Sequence, residues 1–524
     1  MHFDLFSLYA SRCLVPLVVL TAALLAACSP AAIPPTGATT ITNVLIVDGT
    51  GAAARRGAVR LFADSIVAVG EGVEPVAGDS VVDGGGRVLA PGFIDTHSHH
   101  DDGLLADRGA LAVVSQGITT IVAGQDGGHP MPLAATMDSL TTSPSTINVA
   151  FYAGHGTIRD AVMGGDFKRT ATALEVDSMR VLLMRELDAG ALGLSTGLEY
   201  DPGIYSDRSE VLQLAKVAAA EGGRYISHIR SEDRWFWESI DEILTIGREA
   251  KLPVQISHLK LAMIPLWGQA DSLRGVLDRA RASGIDVSAD IYPYPYWQST
   301  LTVLFPKRDF DNRVEAEKIL REIAKPEGLL IGVYAPNPSY AGKTVAEIAV
   351  ERHEAPALTL MGLIKGSESM RRARASETGG ESGTVESVVA TSMDEGDIAK
   401  LLTWEHANVC SDGALDGAHP RGYGAFPRVL GRYVREQHVL SLEEAVRKMT
   451  SLAAQHMGIT RRGTIVPGAF ADLVLLDSAT VVDRSTTKEP QLTSTGIVQV
   501  WVGGRTVWLN GTVTDARPGR VIRR

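Results

Sequence analysis

Cysteine is scarce in this chain. Three in 524 residues cannot build a disulfide framework, and Cys13 and Cys28 both fall within the first 28 residues, leaving Cys410 alone in the body of the protein. A surplus of positive charge is also missing. The chain carries 61 Asp and Glu against 50 Lys and Arg, a formal net charge of −11, which argues against a nucleic-acid surface built from clustered cations. The short basic stretches Arg371-Arg372-Ala373-Arg374 and Arg523-Arg524 are read as solvated loop and tail. Long apolar runs are equally rare. The one present, residues 14–27, is too short to cross a hydrocarbon core of roughly 30 Å as a helix. With 45% hydrophobic and 21% charged residues, the chain is neither disordered nor a membrane bundle. Its length implies two or three domains, or one barrel with additions.

Residues 1–27 read as a signal peptide: an apolar core closing on small residues, with Arg12 as the main cation of a weakly charged leader. Leu25-Ala26-Ala27-Cys28 resembles the bacterial lipoprotein processing box, in which the cysteine becomes the lipidated first residue. Ser29 follows instead of Asp, and the same resemblance then implies a lipid anchor in the outer membrane, with membrane contact through that anchor only. A secreted or periplasmic protein with an ordinary signal is the alternative. Residues 28–41, rich in Pro, Ala and Thr, read as a tether without a core.

From residue 42 the pattern is strand-like. β-rich runs separated by turn signals occur within residues 42–92 and again within 462–524, with no helical alternation in either segment. Together they predict one small β-sandwich built from both termini. Between them, eight short apolar runs alternate with helical patterns: 93–97, 119–124, 147–153, 192–197, 225–228, 254–258, 286–291 and 408–410. Alternation of this kind implies a parallel sheet, and eight units of it a (β/α)8 barrel over 93–300 and 403–461. The charged stretch 301–402 between the seventh and eighth strands reads as an inserted subdomain or lid.

Chemistry in such a barrel sits at the carboxyl ends of the strands. The first closes on Asp95-Thr96-His97-Ser98-His99, and alternation at period two points His97 and His99 to the same side. The second ends in Gln125-Asp126, the fifth in His228, the sixth in His258 and the eighth in Ser411-Asp412. Imidazoles and carboxylates gathered at strand ends suit zinc or a similar divalent ion. His100 faces away from the pair and His129 lies in a Gly/Pro loop, so surface or outer-sphere roles are expected for both.

Pro91-Gly92-Phe93-Ile94-Asp95-Thr96-His97-Ser98-His99, taken with the later strand ends, resembles the amidohydrolase superfamily. Gly193-Leu194-Ser195-Thr196-Gly197-Leu198-Glu199-Tyr200, Tyr292-Pro293-Tyr294 and His419-Pro420-Arg421-Gly422-Tyr423-Gly424 narrow the resemblance to its N-acyl-D-amino-acid deacylases (D-aminoacylases), over nearly all of residues 42–524. The resemblance implies an α/β fold, a TIM-like metal-dependent hydrolase barrel with one or two Zn2+ ions. It implies hydrolysis of a linear amide in a small N-acylated amino acid. His97, His99, Asp126, His228 and His258 are then the metal ligands and Asp412 the general acid/base. The substrate carboxylate would meet Lys260, Arg421 and Tyr200 or Tyr292, with Ser299 also in the pocket. Typical members carry a cysteine ligand where this chain has Asp126. Glu199 stands where other amidohydrolases place a bridging carboxylated lysine; lining the pocket ranks above supporting the metals as its expected role. Other readings are a dipeptide or cyclic amide as substrate, a metal-binding lipoprotein without activity, and a serine hydrolase using Ser195 in the pattern Gly193-Leu194-Ser195-Thr196-Gly197.

Overall fold

The eight apolar runs become eight parallel barrel strands in a computed structural model that describes residues 37–378 and 384–524. The signal, Cys13, Cys28 and most of the tether lie outside the described residues. In order the strands are Phe93–Asp95, Ile118–Ala123, Asn148–Phe151 continued by Ala153–Gly154, Gly193–Gly197, Arg224–His228, Val254–Ile256, Val287–Ile291 and Ala407–Val409. Nearly every residue in them is buried, as a parallel sheet covered by helices on one face and packed inside on the other requires. The two pieces of the third strand join the strands before and after it: Asn148–Phe151 pairs with the second and Ala153–Gly154 with the fourth. The barrel closes beyond the strands themselves. Asp412 N donates to His97 O at 2.9 Å, His99 N donates to Gly413 O at 2.8 Å, and the Asp95 carboxylate accepts from Ser411 N at 2.8 Å. Closure at this level ties the first and eighth strand ends together where the polar residues are.

Some helices start where side chains satisfy their first amides. Thr172 and Glu175 form a reciprocal cap on Ala173–Asp188, and Asp207 caps Arg208–Ala220. No helix among the described residues is long and apolar enough to cross a membrane.

Both termini build one nine-stranded sheet. Within the small β domain expected from both termini, Ser80–Asp83 and Val88–Pro91 pair with successive halves of Thr39–Ile46, and Leu473–Leu476 adds antiparallel to Val88–Pro91, so the hydrogen bonding is continuous. Alternation at period two gives this sheet two cores. Leu89, Leu473, Leu475 and Trp501 pack with Ile41 and Val59 on one face, whereas Val88, Ala90, Val474 and Val500 face the barrel.

The insertion has its own antiparallel sheet, in the order Tyr296–Ser299, Glu386–Thr391, Leu329–Tyr334. Its first strand begins ahead of residue 301, because Tyr296–Ser299 pairs with Glu386–Thr391 and not with the barrel. The last residues do unexpected duty. Gly519 N donates to Ser145 O, Val149 N to Arg520 O, Ile522 N to Val149 O and Arg524 N to Gly190 O, so the tail lies along the foot of the third strand and reaches the segment that leads into the fourth.

Candidate metal centre and active site

The strand ends deliver the side chains through unusual backbone. Asp126, His258 and Asp412 all hold positive φ, at 53°, 35° and 49°, a left-handed region that non-glycine residues occupy at a cost of roughly 1–3 kcal/mol. Three strained residues converging on one point mark a site that the surrounding barrel enforces. Only there do the carboxylates of Asp126 and Asp412 turn inward against the histidines.

His97 Nε2 lies 3.3 Å from Asp126 Oδ1 and 3.6 Å from Asp412 Oδ1. His99 Nε2 lies 3.5 Å from Asp126 Oδ2 and 3.4 Å from Asp412 Oδ1. On the other side of Asp126, His258 Nε2 is 3.4 Å from its Oδ1 and 3.1 Å from His228 Nδ1. Asp126 is thus shared by two overlapping groups, one with His97, His99 and Asp412, the other with His228 and His258. Both histidine pairs and both aspartates read from the sequence are brought together.

The donors fit a divalent cation. His97 Nε2 and Asp126 Oδ1 lie 3.3 Å apart, buried and without a hydrogen-bond partner among the described residues, as two ligand atoms awaiting one cation would. Without an ion the charges balance otherwise. Burial opposes charge on His99 and His258, yet the neighbouring carboxylates, those of Asp126 and Asp412 among them, outweigh it and lift both imidazoles to about 10. Burial likewise opposes ionisation of Asp412, but the Arg421 guanidinium and the histidines hold it well below the usual carboxylate range.

Around this centre stand the residues assigned to the substrate. Arg421 Nη1 lies 2.5 Å from Asp412 Oδ2, while its buried Nε has no partner among the described residues. The Tyr292 ring sits between two cations, 4.7 Å from the Arg421 guanidinium carbon and 5.4 Å from Lys260 Nζ, and its buried hydroxyl is also unpartnered. Tyr200 Oη is 3.1 Å from His228 Nδ1. Ser299, on the insertion's first strand, lines a cavity of about 290 Å³ together with His99, Asp126, Tyr200, Asp412 and Arg421. The insertion therefore forms one wall of the site.

Glu199 takes a double position. It lines the pocket, and its Oε2 meets His228 Nε2 at 3.0 Å; burial lifts its pKa to about 7. Glu232 is a residue the sequence did not single out. Its Oε1 lies 2.9 Å from His258 Nδ1 and 2.6 Å from Lys260 Nζ. Its only trace in the sequence is its place just past the fifth strand, four residues after His228.

Ser195 is excluded as a nucleophile. It is buried within the fourth strand and donates to the Gly124 carbonyl at 2.5 Å, with no strand–turn–helix elbow to expose it. His100 is buried too, between Ser98 Oγ and Gly422 O, so a surface role does not apply. His129 accepts from Gly154 N at 2.9 Å and holds a loop.

The sequence pattern described as the amidohydrolase family matches residues 80–329 and 406–508. The chain belongs to the amidohydrolase family. Among curated amidohydrolase relatives, an N-acyl-D-glutamate deacylase of Alcaligenes xylosoxydans xylosoxydans is 37% identical over 91% of this chain and 95% of that protein. A D-aminoacylase of the same organism is 33% identical over 91% of this chain and 96% of that one. In three dimensions, the N-acyl-D-glutamate deacylase of Bordetella bronchiseptica aligns with a TM-score of 0.81 at 34% identity, covering 94% of this chain and all of its own. That amidohydrolase was crystallised with zinc and a phosphonate mimic of the tetrahedral intermediate.

Proposed function

We propose that this amidohydrolase removes the acyl group from N-acyl-D-amino acids, releasing a carboxylate and a D-amino acid. The observation that carries the reading is the pair of unpartnered buried donors, Arg421 Nε and Tyr292 Oη, held beside the His–Asp cluster. A free carboxylate next to the scissile amide satisfies both, and a substrate without one leaves them orphaned. When bound, a divalent ion supplies Lewis acidity, polarising the carbonyl and acidifying water. His97, His99, Asp126, His228 and His258 would hold it. Asp412 Oδ1, the oxygen not engaged by Arg421, accepts the proton of the attacking water and returns it to the leaving nitrogen. Arg421, Tyr292 and Lys260 fix the carboxylate end, so that the amide rather than the carboxylate meets Asp412. The identity of the relatives as deacylases of D-amino acids supports the D configuration.

Hydrolysis of paired N-acetyl-D- and N-acetyl-L-amino acids, with metal analysis, tests this. Turnover of the D series, abolished by a chelator and restored by zinc, is expected. Turnover confined to the L series, or indifferent to chelation, overturns it. We further propose that the protein is anchored in the bacterial cell envelope through lipid on Cys28, supported by the apolar run 14–27 and Leu25-Ala26-Ala27-Cys28. Incorporation of labelled palmitate that is lost in Cys28→Ser is the expected result; incorporation that persists refutes it.

A further inference from the structure

The two histidines on the fifth and sixth strands share one arrangement. His228 turns Nδ1 toward His258 Nε2 and Tyr200 Oη, both at 3.1 Å, and its Nε2 meets Glu199 Oε2 at 3.0 Å. His258 turns Nε2 toward Asp126, and its Nδ1 meets Glu232 Oε1 at 2.9 Å. An imidazole that binds a cation through one nitrogen carries its proton on the other. A carboxylate accepting that proton fixes the tautomer, orients the ring and strengthens the ligand.

The geometry points to Glu199 and Glu232 as positioning residues, the outer carboxylates that orient His228 and His258 as metal ligands. The two acids come from separate elements, the end of the fourth strand and the segment after the fifth, yet each reaches the ring nitrogen that the other histidine does not face. Both side chains are nearly inaccessible, at 13% and 10% exposure, so neither interaction competes with bulk water. Glu232 carries a second duty. Its Oε1 also holds Lys260 Nζ at 2.6 Å, and the same nitrogen lies 2.6 Å from His258 Nδ1. When His258 Nδ1 carries a proton, lysine and imidazole both present hydrogens across that short gap. Glu232 is the acceptor that lets them coexist, and it links the orientation of a metal ligand to the cation assigned to the substrate carboxylate.

The inference rests on the metal-dependent reading above, but its readout is metal affinity measured without substrate, so the choice of substrate can fail while it stands. The test uses Glu199→Gln and Glu232→Gln in the full protein. Zinc affinity by chelator competition is expected to fall about 10–100-fold in each, with unchanged stoichiometry. The visible spectrum of the Co2+-substituted protein should shift as the imidazoles lose their fixed orientation. Unchanged affinity and spectrum with reduced turnover would place the acids on the substrate and overturn the inference. Loss of one ion per protein, with the affinity for the rest intact, would make them direct ligands and overturn it as well; they form a group with His228 that meets the distance requirement for that role. Glu232→Gln strips Lys260 of its carboxylate, so if that variant does not fold, Glu199→Gln, where no cation loses its partner, decides the matter alone.

Discussion

Asp412→Asn removes one charge and little else. Asparagine matches aspartate in shape and tolerates the left-handed backbone that position 412 requires, so the bond from its amide to His97 O survives. What is lost is a base. Oδ1 of Asp412 faces His97 at 3.6 Å and His99 at 3.4 Å, and among the described residues no other carboxylate except Asp126 meets both histidines. Asp126 is the oxygen donor common to both ligand groups, which leaves it no free role as a base. General acid–base catalysis contributes about 10²–10⁴ in rate, or roughly 3–5 kcal/mol of barrier. The variant should lose that much in kcat. KM should stay within a few-fold, since Arg421 is freed from Asp412 Oδ2 rather than removed. Amine release from an N-acetyl-D-amino acid measures the rate, and metal analysis on the same sample shows that the ions remain. A kcat within tenfold of the parent, or parallel loss of metal and activity, would refute the assignment of the base.

Arg421→Ala should raise KM for acyl-amino acids at least tenfold and spare the matching substrates in which the carboxylate is an amide; equal losses on both would separate Arg421 from the carboxylate. Metal loading should expel protons. Without metal, the carboxylates around them hold His99 and His258 protonated up to about 10, so at pH 7 each gives up one proton on ligation, and affinity rises with pH between about 6 and 9. Calorimetry in two buffers of different ionisation enthalpy should report about two protons released, and a value near zero contradicts the charge state. Asp126→Cys should change the number or tightness of bound ions, and unchanged metal content would count against Asp126 as a shared ligand. Deleting residues 519–524 removes four backbone hydrogen bonds from the foot of the barrel, each worth about 1 kcal/mol; thermal unfolding should move to lower temperature with kcat little changed, and an unmoved transition refutes a structural role for the tail.

Most of the centre was legible because strand periodicity and ligand chemistry are both local. The first strand ends at Asp95, so His97 and His99 follow it rather than alternate along it, but a histidine or aspartate just past the end of an apolar run is still written in the run itself. Residues whose role depends on distant neighbours were not legible. Glu232 lies in a polar stretch beside Asp233, Arg234 and Ser231, and only the fold shows that it backs His258. The pairing of Val88–Pro91 with Leu473–Leu476 joins segments nearly four hundred residues apart, and the pattern of each alone reads equally well as an edge of a separate sheet. Tyr296–Ser299 follows a barrel strand so closely in sequence that only its partner Glu386–Thr391 reveals its membership of the insertion. The tail is short, and its value lies in the carbonyls and amides it meets and in the packing of Val521 and Ile522 against the core.

The left-handed backbone at Asp126, His258 and Asp412 sets selection for durability against selection for turnover. Glycine adopts such φ values without penalty, but at 412 it would leave the buried Arg421 guanidinium without its carboxylate. Random mutagenesis screened for heat resistance alone should therefore favour glycine or asparagine at 412 only where Arg421 is replaced as well. A more robust and inert barrel lies two coupled substitutions away, and only a screen that keeps activity in its readout will hold the pair in place.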